Sequence, residues 1–162
     1  MRVGIPPSIG TAQDRSDELP LAGHPLVGTA WLLHQQGLDV PVLRPAAGEV
    51  RTWAEGRHTW ISARPEWALE FDLHQLSAPA EVEAHPGAGP DEHLQVWAWQ
   101  DASAGRVRAR VFPTRMGIVE DEATGAAAIR LGALLRRPLT IRQGEASEIL
   151  VRPGDDDRHG VS

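Results

Sequence analysis

Residues 106–131 read RVRARVFPTRMGIVEDEATGAAAIRL, and this stretch decides the fold. It begins with strict alternation: Val107, Ala109 and Val111 are apolar, while Arg106, Arg108 and Arg110 are charged. That is the period of a strand with one buried face. An acidic cluster, Glu120 to Glu122, then leads through Ala123 and Thr124 to Gly125 and into a run of Ala, Gly, Ile and Leu. Acidic residues and a Thr ahead of an apolar run are helix-start signals, predicting a helix over about 123–136. Its small residues, Ala126 to Ala128 and Gly132, let strands pass close to the helix axis. A strand leading into a narrow central helix, with more strands after it, is the grammar of an α+β protein.

Working outward, residues 25–36 (PLVGTAWLLHQQ) are apolar around most of a helical circumference, start with Pro and stop at Gly37, predicting a buried helix. Runs rich in β-branched and aromatic residues at 39–43, 49–54 and 58–63 predict strands joined by turns. Residues 77–92 hold a short helix over 79–84 and a Pro/Gly-rich turn region, the best linker in the chain. Beyond it lie strands over 93–100 and 106–112 across the turn DASAG, and two more over 139–143 and 147–152. Residues 1–19 read as irregular, and the polar end 155–162 reads as a frayed tail.

Sliding the chain against itself by 102 positions aligns Glu18 with Glu120, Gly23 with Gly125, Val27 with Ile129, Leu32 with Leu134 and Leu33 with Leu135. Each copy has an acidic residue, a glycine turn, a small-residue helix and then strands. The expected organisation is two pseudo-repeated lobes, 1–78 and 79–154, each a curved, mostly antiparallel sheet around a central helix, followed by the tail 155–162. The two helix starts would meet in a cleft. Their unpaired N–H groups and positive dipole ends there suit a carboxylate.

Composition excludes several chemistries. The 162 residues contain no Cys, which removes disulfides, thiolate metal sites and thiol nucleophiles. All sixteen basic residues are Arg, so Schiff-base chemistry on lysine is absent too. The net charge of −6 is spread evenly: residues 1–78 carry nine acids and six Arg, residues 79–162 thirteen acids and ten Arg. Neither half offers the one-signed basic face that nucleic acid or an anionic membrane requires. No apolar run approaches a membrane span, and MRVGIPPSIG has neither the basic nor the apolar region of a signal peptide, so a cytoplasmic location is expected.

Three pieces, DELPLAGHPLVGTAWLL (17–33), RVRARVFPTRMGIVEDEATGAAAIRL (106–131) and LTIRQGEASEILVRPG (139–154), together resemble the phenazine-biosynthesis-like (PhzF) family, which shares the diaminopimelate-epimerase-type fold. They cover about a third of the chain, in the family's order. The resemblance implies a two-lobed α+β fold, usually homodimeric. It also implies an isomerase without metal or organic cofactor that moves a proton within a small carboxylate-bearing metabolite. By motif, His24 of AGHP and Asp121 of EDEATG fall on active-site positions. Gly23 and Gly125 would supply backbone N–H groups to the substrate carboxylate, with Thr124 beside them among the substrate-binding residues.

The chain also departs from the family pattern. The family carries a segment ahead of the GHP motif whose Glu is the principal acid/base, and the 23 residues before His24 contain no match to it. Asp14, Asp17 and Glu18 are carboxylates there without motif support, so the first lobe is expected to be incomplete. The family's ATGSA is ATGAA here, which replaces a serine hydroxyl by Ala126. The two thiols of the related epimerases correspond to Ala22 and Thr124, which excludes a two-cysteine racemase. Two alternatives to the isomerase follow: a short homologue that binds a ligand or assembles without turnover, or a fragment of a longer isomerase.

Plainer readings stand beside these. His24 could simply cap or pack at a helix start, and Asp121 could be one of three acids favoured by the helix dipole. The other histidines have no metal-binding spacing. Trp97 and Trp99 on one strand face, and Trp53 and Trp60 on a hairpin, fit core or interface packing better than sugar stacking. Arg106, Arg108 and Arg110 fit a solvated or salt-bridged sheet face better than an anion patch.

Overall fold

The computed structural model describes residues 21–154 and 159–162, which form three α-helices and nine strands. In chain order these are α1 (Gly23–Gln35), β1 (Val42–Leu43), β2 (Val50–Glu55), β3 (His58–Ala63), β4 (Asp72–Gln75) and α2 (Pro79–Ala84). Then follow β5 (Leu94–Asp101), β6 (Arg106–Phe112), α3 (Gly125–Leu135), β7 (Leu139–Gln143), β8 (Ser147–Pro153) and β9 (His159–Val161). Single 3-10 turns occupy Pro65–Trp67 and Thr114–Met116.

The strands form one sheet in the order β1-β2-β3-β9-β8-β7-β6-β5-β4. Neighbours are antiparallel except β4 with β5 and β6 with β7, which are parallel. The alternation in 106–112 sorts its residues to opposite faces. Val107 and Ala109 enter the main core with Trp97, Ala128, Ile129, Leu131 and Ile141. Phe112 joins Leu94, Val96, Ala98 and the α2 residue Val82 in a smaller cluster on the other face. α1 packs on β2 and β3, and α3 on β8 and β9, so one sheet face carries both long helices.

The expected α+β class is therefore seen, and the β3–β9 pairing makes the sheet continuous. A repeat in strand order between the halves is not seen in the described residues. Three elements differ from expectation. Residues 155–162 are not a frayed tail throughout: β9 lies between β3 and β8, with Gly160 and Val161 buried. The polar run there carries no local strand signal, and the edges of β3 and β8 supply the stabilisation. β4 was not expected because DLHQ has no apolar alternation; it is a sheet-edge strand whose single neighbour is β5.

α1, expected to be buried, exposes most of its surface, with only Gly23 and Ala30 buried. Trp31 and Leu32 are about half exposed. A helix apolar all round can bury only the face that has a neighbour, and here that face meets β2, β3 and the start of α3.

Candidate functional site

The starts of α1 and α3 abut. A Cβ built on Gly23 would lie 3.3 Å from the Gly125 Cα, and one built on Gly125 would lie 3.3 Å from the Gly23 Cα. Backbone meets backbone, so both positions need glycine for space. These are the two glycines that the 102-residue offset aligns. Neither helix has a side-chain cap: Ala22 precedes α1, and the Thr124 hydroxyl is directed elsewhere. The first backbone bonds are Leu26 N–H to the Ala22 carbonyl and Ala128 N–H to the Thr124 carbonyl. Among the described residues, the earlier amides of Gly23 and His24 and of Gly125, Ala126 and Ala127 have no acceptor. Two positive helix ends are thus held side by side, a costly arrangement that an anion relieves.

Asp121 stands beside the α3 start. It is tied to β6 by a bridge to Val111, its N–H donating to the Val111 carbonyl at 3.0 Å. Its Oδ2 accepts the Thr124 hydroxyl at 2.7 Å and its Oδ1 accepts the Ala123 N–H at 3.3 Å, which fixes the carboxylate's orientation. The neighbouring acids have other partners. Glu120 makes a fork-to-fork pair with Arg110 at 2.8 and 2.6 Å, and that guanidinium holds the Glu120 carboxyl below its usual range. Glu122 packs against the β7–β8 turn, where Gly144 has φ +59° and a Cβ would come within 2.9 Å of the Glu122 Cβ.

The structure therefore brings Gly23 to Gly125 and Asp121 to Thr124. His24 is on the first turn of α1, exposed, with its backbone nitrogen 3.6 Å from where a Gly125 Cβ would sit. Its imidazole has no hydrogen-bond partner among the described residues. Asp14, Asp17 and Glu18 lie outside the described residues.

Gln143 belongs to this site and was not expected from motifs. Its side chain is 1% exposed. Its amide donates to the Asp121 carbonyl at 2.5 Å and to the Thr124 hydroxyl at 3.0 Å, and its oxygen accepts the Thr124 N–H at 3.3 Å. One side chain from β7 thus clamps both ends of the loop that presents Asp121. The available signal was position: Leu139, Ile141 and Gln143 share the inward face of a strand, and a polar residue on a core face needs partners.

Of the three strand arginines, Arg108 and Arg110 are ion-paired to Glu83 and Glu120 and donate to backbone carbonyls as well. The salt-bridged reading of that face therefore holds. Trp60 and Trp97 are core residues, and Trp99 meets Trp97 edge-on at 5.4 Å. Among the described residues no three His, Asp or Glu side chains cluster as metal ligands, and no helix is long and apolar enough to cross a membrane.

No protein-family model matches the chain. An uncharacterised isomerase of Pasteurella multocida is 28% identical over 82% of this chain. The chain spans 60% of that relative's length. Among solved structures, a PhzC/PhzF-type phenazine-biosynthesis protein of Clostridium difficile superposes with a TM-score of 0.63 at 13% identity, over 88% of this chain and 69% of the other. A PhzF-family protein of Enterococcus faecalis gives 0.62 at 15% identity, over 88% and 68%. With its α+β sheet and its helix starts in contact, this chain is PhzF-like in fold.

Proposed function

We propose that the junction of α1 and α3 is the active site of a cofactor-independent isomerase that relocates a proton within a small carboxylate-bearing metabolite. The observation that carries this reading is the packing of Gly23 against Gly125, so close that a Cβ on either would lie 3.3 Å from the other's Cα, which sets two uncapped helix ends side by side. A substrate carboxylate there accepts from the free amides and is stabilised by both dipoles. The same donors stabilise the negative charge that develops when a proton leaves the adjacent carbon. Asp121, oriented by Thr124 and Ala123, and His24, exposed on the facing turn, are the groups of suitable type to take and return that proton. One C–H bond breaks and another forms at a different carbon, so no oxidant or reductant enters the balance. The likeness to an isomerase over most of the chain supports the same reaction class.

Incubation of the purified chain with carboxylic-acid candidates in heavy water should place deuterium in the isomerised product. His24→Ala and Asp121→Asn should each reduce that labelling by at least about a hundredfold, the usual scale for a general acid/base. Undiminished labelling in both variants overturns the assignment.

A second reading is a binding or assembly protein that keeps the junction without turnover. It is favoured by Ala126, where the family pattern carries a hydroxyl. It predicts carboxylate-induced thermal stabilisation with no label incorporated.

A further inference from the structure

Away from the helix junction, β5 and the residue before it carry buried polar atoms without partners among the described residues: His93 Nε2, both amide atoms of Gln95 and the Trp97 indole nitrogen. His93 is 9% exposed and Gln95 fully buried. Such atoms have lost water and gained nothing in return, so native proteins leave few of them unexplained. At the start of this row a cleft of about 490 Å³ opens between the turn Pro65–Trp67, β4, the turn Thr114–Met116 and the second half of α3. His93 forms part of its wall, and no residue of the helix junction does.

The charges around the cleft are balanced. Arg130 is held by the Ala68 carbonyl through Nε and Nη2, at 3.2 and 2.7 Å. Arg115 is held by the Asp91 carbonyl through the same two atoms, at 3.1 and 3.0 Å. Among the described residues neither Nη1 has a hydrogen-bond partner, and Glu70 approaches Arg130 at 3.6 Å. Glu70 and Asp72, both exposed, complete the rim. Burial and the nearby Arg115 charge push the His93 imidazole below its usual value.

We propose that this cleft is a second binding site, distinct from the helix junction, for a small zwitterion of the amino-acid type. Its carboxylate would meet the Nη1 groups of Arg115 and Arg130, and its ammonium the exposed carboxylates of Glu70 and Asp72. A simple anion would face the two carboxylates, and a simple cation the two guanidiniums; a molecule bearing both charges is complementary to the whole rim. The volume lies within the range of small-molecule sites.

The test is calorimetric titration of the full chain with glycine, alanine, glutamate, glutamine, lysine and phenylalanine, with acetate and methylamine as single-charge controls. At least one amino acid should bind at millimolar concentration, with each control at least tenfold weaker. Arg115→Ala, at an exposed position, should weaken binding at least tenfold with an unchanged circular dichroism spectrum. His24→Ala should leave binding unaltered, which separates this site from the isomerase reading. The proposal is overturned if no amino acid binds, if a control binds equally well, if Arg115→Ala binds normally, or if His24→Ala abolishes binding.

Discussion

At the scale of single residues, the site depends on two missing Cβ atoms and one buried amide. Gly125→Ala places a methyl group 3.3 Å from the Gly23 Cα, against backbone that cannot rotate away. The helix starts must separate by a few tenths of an ångström. A cost of about 1–3 kcal/mol in urea unfolding is expected, as for other overpacked sites, with loss of carboxylate binding. Gly28→Ala, on the same helix α1 but facing open space, is the control and should be neutral or slightly stabilising in the same assay. Gln143→Leu removes two donors and an acceptor from the Asp121–Thr124 loop. Leaving buried partners unsatisfied is expected to cost about 1–3 kcal/mol. Turnover should fall with substrate affinity largely kept, since Gln143 orients Asp121 and is not itself placed against the ligand. An unchanged turnover number in Gln143→Leu would argue against that positioning role.

At the scale of elements, charge pairs fasten α2 and the loop before α3 to β6. Arg108 reaches Glu83 of α2, and Arg110 reaches Glu120 while donating to the Val82, Glu83 and His85 carbonyls. Both Glu83 and Glu120 are held below the ordinary glutamate range by their arginines. Folding therefore favours their charged forms. The resulting stability is complete above pH 4.5 and is lost as pH falls through the lower folded values. Glu120→Gln should flatten this acid limb in denaturant titrations below pH 4.5 while changing stability at pH 7 by no more than about 1–2 kcal/mol, because the pair is only partly buried. On α1, Trp31 and Leu32 face outward, so Leu32→Glu should shift stability by within about 0.5 kcal/mol. Thermal melts of that variant measure how much of α1 is packed.

At the scale of the whole molecule, the sheet is continuous because β9 fills the gap between β3 and β8. Removing residues 159–162 should leave both neighbours unpaired along their inner edges and expose Ile61 and Val151, which pair with Val161. Loss of a single cooperative thermal transition is the expected outcome, read by circular dichroism. A truncated chain that melts like the full one would show that the halves need no such join. The sequence alone fixed most local elements: β3, α2, β6 and β7 fall on their predicted ranges, because their periodicity and turn residues are local properties. The glycine pair and the acidic start of α3 were legible as well, since glycine at a helix start and acids before one carry their physical reason in the residue type. Three features depended on the tertiary structure. β4 and β9 lack an apolar period and exist through the strand edges they meet. The exposure of α1 depends on which of its faces finds a neighbour. Gln143 reads as an ordinary polar residue until the fold buries it against Asp121 and Thr124, 22 and 19 positions away, where its hydrogen bonds have no competitor in water. Residue type and period determine which local structures are possible; long-range contacts decide which are stabilised, and those contacts cannot be read from any one segment.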